Sequence, residues 1–167
     1  MTDPAIADVP RKRITTPDGT VAELIETVPS PLPERGSART KARKRALDIL
    51  FEADLRQADP LAVLAAHLEL DEPPVRAFTG ELVQGVVTHQ AEIDEFVEAS
   101  LNPGWTLQRM PRVDRNLARI AVYEIVHTEV SDQIAIAECV ALGQELSTDD
   151  SAAFLNGVLG AVVARQR

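Results

Sequence analysis

A single cysteine, Cys139, occurs among the 167 residues, and aromatic side chains make up only 4% of the chain. One thiol excludes a disulfide framework and a cysteine-rich zinc site. No run approaches the roughly 18 uninterrupted apolar residues that a membrane span needs, and the N-terminus lacks the apolar core of a signal peptide. The expected location is therefore the cytoplasm. Gly-rich phosphate loops, a nucleophile elbow and histidines at ligand spacing are also missing. His67, His89 and His127 fall on different predicted helices, and Cys139 sits in an Ala-rich segment that reads as a small buried hydrophobe. No enzyme, metal site or cofactor is expected. The length suits one domain with a proper core and is too short for two large ones.

Basic residues are outnumbered, 17 against 26, and the net charge is −9. That total disfavours a polyanion as partner until the charges are placed along the chain. Residues 1–36 carry a net −2, residues 37–56 a net +3, and residues 57–167 a net −10. Five bases and no acid lie between Arg39 and Arg45. One compact cationic patch on an acidic body is a localised binding feature, whereas uniform basicity would imply general adhesion to polyanions.

Six of the 11 prolines (Pro4, Pro10, Pro17, Pro29, Pro31 and Pro33) fall in residues 1–36. Each removes a backbone donor and biases its predecessor away from helix. This segment is expected to be a mostly disordered, Pro-rich tail, with GTVAELIETV as its one stretch of apolar content. Arg11, Lys12 and Arg13 read as a solvated charge run with a secondary chance of touching RNA.

From Ser37 to the C-terminus the apolar residues follow a helical period. Ala42, Ala46, Ile49, Leu50 and Ala53 share one face, with Ser37 as N-cap. Asp59-Pro60 ends that helix and starts the next, and Asp71-Glu72-Pro73-Pro74 closes the second. Val75, Phe78, Leu82, Val86, Ile93, Phe96 and Val97 point inward from two helices with a bend near Thr88–Gln90. Asn102-Pro103-Gly104 forms a turn, and Pro111 opens a helix whose inward stripe is Val113, Leu117, Ile120, Ala121 and either Tyr123 or Glu124. Two further helices complete an all-α domain over residues 37–167, with about seven helices and no sheet. Gly157 and Gly160 interrupt the last helix, which suggests close approach of another helix or of an RNA backbone.

The pieces ARKRALDILFEAD, LVQGVV with Ile93-Asp94, Trp105, VDRNLARIAVYE, IAECVALGQELS and DDSAAFLNGVLG occur in the order and spacing of the NusB transcription antitermination family. Together they cover about three quarters of the chain, from Arg39 to Val162. LSTDDS is similar to actinobacterial members. Two departures are Ala137-Glu138-Cys139, where the family commonly has Asn-Glu-Ala, and the Pro-rich N-terminal extension.

The resemblance implies two packed three-helix groups plus a connecting helix. It implies binding of boxA single-stranded RNA in nascent ribosomal RNA operon transcripts, together with the small-subunit ribosomal protein that also acts as NusE. The pair helps load an antitermination complex onto RNA polymerase. Arg39, Lys41, Arg43, Lys44 and Arg45 would meet phosphates, with Arg39 and Arg43, and Lys41 and Arg45, projecting together at four-residue spacing. Four phosphate contacts would give a salt slope of about −3 for a single strand.

By the same match, Asp150 and Phe154 fall where the family's RNA-contacting acid and aromatic sit, and neutralising Asp150 would tighten binding. Asn156 offers an amide to base edges, Ser151 caps the last helix, and Phe154 either stacks on a base or packs in the core. Phe51 and Asp114 fall at partner-facing positions, Asp114 where the family pairs an acid with a partner arginine. Homodimerisation stays open. The alternative reading is a NusB-like RNA-binding domain of the kind that precedes some rRNA cytosine methyltransferases, without the catalytic half.

Overall fold

The computed structural model describes residues 11–15, 21–25 and 36–167. The chain divides into two compact units, 1–32 and 33–167. In the first, strands β1 (Arg11–Thr15) and β2 (Val21–Ile25) pair antiparallel, with Arg13 in register with Glu23 and Thr15 with Val21. This pairing lies in the segment expected to be a mostly disordered tail, outside the 37–167 domain for which no sheet is expected.

The second unit is helical: α1 (Ala38–Arg56), α2 (Pro60–Leu70), α3 (Ala77–Thr88), α4 (Gln90–Ser100), α5 (Arg112–His127), α6 (Asp132–Leu146) and α7 (Ser151–Gln166). A 3-10 turn, Leu107–Arg109, precedes α5. Its boundaries follow local chemistry. The Ser37 hydroxyl accepts from the Thr40 amide at 3.1 Å, satisfying one of the free donors at the start of α1. Asp59 caps α2 through the Leu61 amide at 3.0 Å, with Pro60 in the first turn. Gln57 and Asp71 end α1 and α2 in the left-handed region. Gly104, at φ 88°, makes the turn after Asn102-Pro103, where a side chain would be strained.

Helices α1, α2 and α3 pack on one another, as do α5, α6 and α7, and α4 joins the groups by contacting α3, α5 and α7. Helix α5 is the hub, touching α1, α3, α4, α6 and α7. Consequently it is buried on nearly every side, polar Asp114, Asn116 and Glu124 included. Ile49, Leu82, Ile93, Leu117, Leu155 and Leu159 are fully buried and join the groups in one core. All five inward residues expected on α1 are buried, and on α5 the inward choice at the ambiguous position is Glu124, with Tyr123 half-buried.

Gly85 permits the close approach of α3 to α5. A Cβ there would lie 2.0 Å from the Tyr123 ring. Gly157 and Gly160 behave differently: both are exposed, and a Cβ at either meets nothing within 4 Å. The helix-contact explanation for these two is therefore corrected.

Candidate nucleic-acid interface

The first three turns of α1 sort their cations by direction. Arg39 and Lys41 are exposed, Lys44 and Arg45 are half-exposed, and Arg43 is buried. Among the described residues no carboxylate lies within ion-pair distance of Arg39, Lys41 or Arg45. Lys44 reaches Glu145 of α6 at 3.0 Å, an exposed pair worth at most about 1 kcal/mol and easily given up to a phosphate. The Arg39 guanidinium lies 4.8 Å from the centroid of the Phe78 ring on α3. Beside it is a cleft of about 620 Å³ lined by Arg39, Phe78, Glu81, Val130, Ile134 and Glu138, among others.

Arg43 does not join the outward set, which corrects the expectation that it projects with Arg39 toward RNA. It is 3% exposed, and its Nε donates to both Glu124 carboxylate oxygens at 3.1 and 2.9 Å. Its Nη2 donates to Glu124 Oε1 at 2.7 Å, and Nη1 lies 3.4 Å from Glu138 Oε1. Glu138 also accepts from the Thr40 hydroxyl at 2.9 Å. The reason is geometric. Arg43 lies one turn before Leu47 and next to Ala42, both buried, so its stem enters the core, where two acids from α5 and α6 neutralise it. The Nε of Arg45 is shielded by its neighbours and has no hydrogen-bond partner, while the residue as a whole stays half-exposed beside the outward cations.

The start of α7 forms the second part of the site. Asp114 of α5 is 2% exposed and accepts from the Ser147 hydroxyl at 2.5 Å and the Ser151 hydroxyl at 2.9 Å. Ser151 in turn accepts from the Thr148 amide at 3.1 Å. Asp114 therefore fastens the turn between α6 and α7 instead of facing a partner, and Ser151 reaches backward instead of capping α7. A carboxylate on a helix first turn suits either role; only the neighbouring hydroxyls from 33 and 37 residues away decide it. Asp150 and Asn156 are exposed, and Asp150 makes no side-chain cap.

Phe154 is half-buried. Leu155, Val158 and Leu159 beside it are core, while its own ring meets Trp105 at 5.4 Å between centroids, tilted by 46°. Trp105 is 45% exposed, and the Arg109 guanidinium lies 5.7 Å from its ring centroid. An aromatic pair edged by a cation thus sits beside the α7 start, a feature that spacing along α7 alone could not reveal. Phe51 is half-buried on α1, and Cys139 is buried, its thiol pushed up by desolvation and by the nearby Asp114 and Glu124 charges.

The NusB family model matches residues 40–164, which is most of the chain. The chain belongs to the NusB family. Among relatives of the family, the transcription antitermination protein NusB of Acidothermus cellulolyticus is 58% identical over 130 residues, covering 77% of this chain and 89% of the relative. That of Salinispora arenicola is 54% identical over 129 residues, covering 75% and 94%. A Cutibacterium acnes NusB, 55% identical over 127 residues (76% of this chain), is matched over 49% of its own length. Solved structures are similar as well, two of them as follows. One, of antitermination factors NusB and NusE in complex with dsRNA, has a TM-score of 0.67 and 27% identity, covering 76% of this chain and 96% of that one. The solution structure of NusB from Aquifex aeolicus has a TM-score of 0.63 and 28% identity, covering 75% and 87%. The NusB family match runs from the first turn of α1 into the last turn of α7, so both parts of the site, Arg39 apart, lie within it.

Proposed function

We propose that this chain is a transcription antitermination factor of the NusB type, a non-enzymatic adaptor that binds RNA together with a NusE-type ribosomal protein. The observation that carries the reading is the sorted α1 start: Arg39, Lys41, Lys44 and Arg45 turn toward solvent on a helix whose buried Arg43 fixes its position. The relatives named as antitermination proteins and the neighbour crystallised with NusE and dsRNA support it. No described helix is long and apolar enough to cross a membrane, and action in the cytoplasm belongs to the proposal. The extent of the binding domain, 37–167, belongs to it as well.

In this reading the outward cations of α1 meet successive phosphates and position the strand, without reading its sequence. Trp105 and Phe154 supply a stacking platform for an unpaired base, a contact worth roughly 1–3 kcal/mol. Asn156 offers donors and an acceptor to base edges, and Asp150 repels phosphate and limits affinity. Single-stranded boxA RNA of ribosomal operon transcripts fits this combination, because a duplex offers phosphates but no free base face. Phe51 and the acidic remainder of the molecule face the basic partner, which charge would steer. RNA polymerase would then receive the assembled complex. The rRNA methyltransferase-like alternative is not favoured, since the relatives matched over 89% and 94% of their length are named as antitermination proteins.

Trp105 is the only tryptophan, so its fluorescence reports on the platform directly. Titrating the full chain with boxA RNA, with and without the NusE-type protein and across a salt series, should quench it. The expected slope of log K against log salt lies between about −2 and −3, for three or four phosphate contacts. Binding of a duplex competitor at equal affinity, or a slope near zero, would reject the single-strand reading.

A further inference from the structure

The sequence scatters the three histidines, but the fold brings two of them together. His89 is the single residue between α3 and α4, Glu92 lies in the first turn of α4, and His127 ends α5. The two imidazole rings stack with centroids 3.7 Å apart and planes 20° apart. His127 Nε2 lies 2.9 Å from a Glu92 carboxylate oxygen, and His89 Nδ1 lies 4.0 Å from the same oxygen. One ligand atom from each residue falls within 4.8 Å of the others. We propose that His89, Glu92 and His127 form a binding site for a transition-metal ion of the zinc class, which ties the α3–α4 corner to the end of α5.

Several independent features point to a cation. His127 Nε2 is shielded from solvent and, despite its nearness to Glu92, makes no hydrogen bond of acceptable alignment. A buried ring nitrogen left without a partner is costly, and a metal ion would satisfy it. Two imidazoles and one carboxylate select zinc-like ions over magnesium or calcium, which prefer all-oxygen shells. Ligand atoms about 2.0–2.2 Å from a tetrahedral zinc lie roughly 3.3 Å apart, so the widest separation must close by up to about 1.5 Å while the 2.9 Å pair opens slightly. Half-exposed Glu92 and partly exposed His89 have room to make that adjustment, and their exposure leaves a fourth position to water. Helices α3 and α5 both end here, and their terminal carbonyl dipoles favour a positive charge, offset in part by the N-terminus of α4. The Tyr123 ring, seated over Gly85, flanks His89 at 6.1 Å and His127 at 5.9 Å and holds the rings in place.

The test uses the full chain, stripped with a chelator and titrated calorimetrically with zinc chloride. One equivalent should bind per chain and raise the thermal midpoint. His89→Gln, Glu92→Gln and His127→Gln should each weaken binding by at least about tenfold. His67→Gln, whose ring pairs with Glu52 elsewhere, should bind as the parent does. Cobalt(II) should give the intense visible bands of a tetrahedral site. Should a variant lose its helical circular dichroism, acylation of the parent by diethylpyrocarbonate decides: zinc should protect His89 and His127 and leave His67 reactive. Absence of a one-equivalent event, binding that survives His127→Gln, loss of binding in His67→Gln, or equal acylation of all three rings would each overturn the proposal.

Discussion

Replacing Arg43 by methionine tests whether the cations of α1 divide as the structure places them. Arg43 makes three hydrogen bonds to Glu124 and faces Glu138, with all three side chains at most 3% exposed. Methionine keeps much of the stem volume but leaves two carboxylates buried with no cation. Breaking a buried pair from one side costs about 3–5 kcal/mol, because the remaining charge loses its counterion. Glu138 retains its bond from Thr40, so the lower part of that range applies to it, and Glu124 carries most of the penalty. A helical unit of this size shifts by about 3–5 °C per kcal/mol, so the thermal midpoint should drop by on the order of 10–20 °C. Changing Glu124 to leucine in the same chain removes the orphaned charge and should recover much of the loss. RNA binding, measured well below the lowered midpoint, should keep the parental salt slope. Lys41→Glu should do the reverse, with the midpoint nearly unchanged and the slope reduced by about 0.7 for the lost phosphate contact. An Arg43→Met chain that melts like the parent but loses salt-dependent RNA affinity would refute the division.

Gly85→Ala should destabilise by about 1–3 kcal/mol in thermal melts, because Tyr123 must move, despite the gain in helix propensity; a stabilised chain would contradict the close approach. Gly157→Ala and Gly160→Ala should each stabilise by about 0.5–1 kcal/mol, since both sites are open. Weakened RNA binding in those stabilised chains would place an RNA backbone against that face of α7. Asp114→Ala should cost about 1–3 kcal/mol by leaving Ser147 and Ser151 without their acceptor. An unchanged melt with loss of the NusE-type partner in a pulldown would instead return Asp114 to the surface. Burial alone would raise the Asp54 carboxyl, but hydrogen bonds from Arg115 and Asn116 and the Arg115 and Arg119 charges outweigh it and hold it below its ordinary value. Its contribution is therefore present at neutral pH and lost as pH falls through about 4 and below. Urea midpoints should fall less steeply over that interval in Asp54→Asn, and identical slopes would remove Asp54 from the acid response.

The helical period marked the inward face of α1 correctly at Ala42, Ala46, Ile49, Leu50 and Ala53, because burial of a helix stripe is a local pattern. Caps at Ser37 and Asp59 were legible for the same reason. Arg43 was not, since its direction is decided by carboxylates 81 and 95 residues later on α5 and α6. A charged side chain at the border of an apolar stripe can face either way, and only the tertiary partner settles it. Glu124 offered a faint cue as an acid on the inward side of a helix otherwise buried there. Trp105 with Phe154, and His89 with His127, are likewise meetings of separate elements that no spacing along one element reports.

A buried ion pair is a poor way to gain stability, so the placement of Arg43 asks for another explanation. The bonds around it supply one. Thr40 and Arg43 of α1 reach Glu138 of α6, Arg43 reaches Glu124 of α5, and the Thr79 hydroxyl of α3 donates to the Ala42 carbonyl at 3.0 Å. Every one of these contacts falls within the first two turns of α1, between the outward cations Arg39, Lys41, Lys44 and Arg45. Directional bonds to three helices fix that segment's rotation about its own axis more sharply than apolar contacts would. Backbone positions of the phosphate-binding side chains are thereby set before RNA arrives, leaving only their rotamers to be ordered on binding. The same rigidity explains why one arginine in a run of five bases can be spent inside: it converts the other four from a solvated helix start into an aligned row.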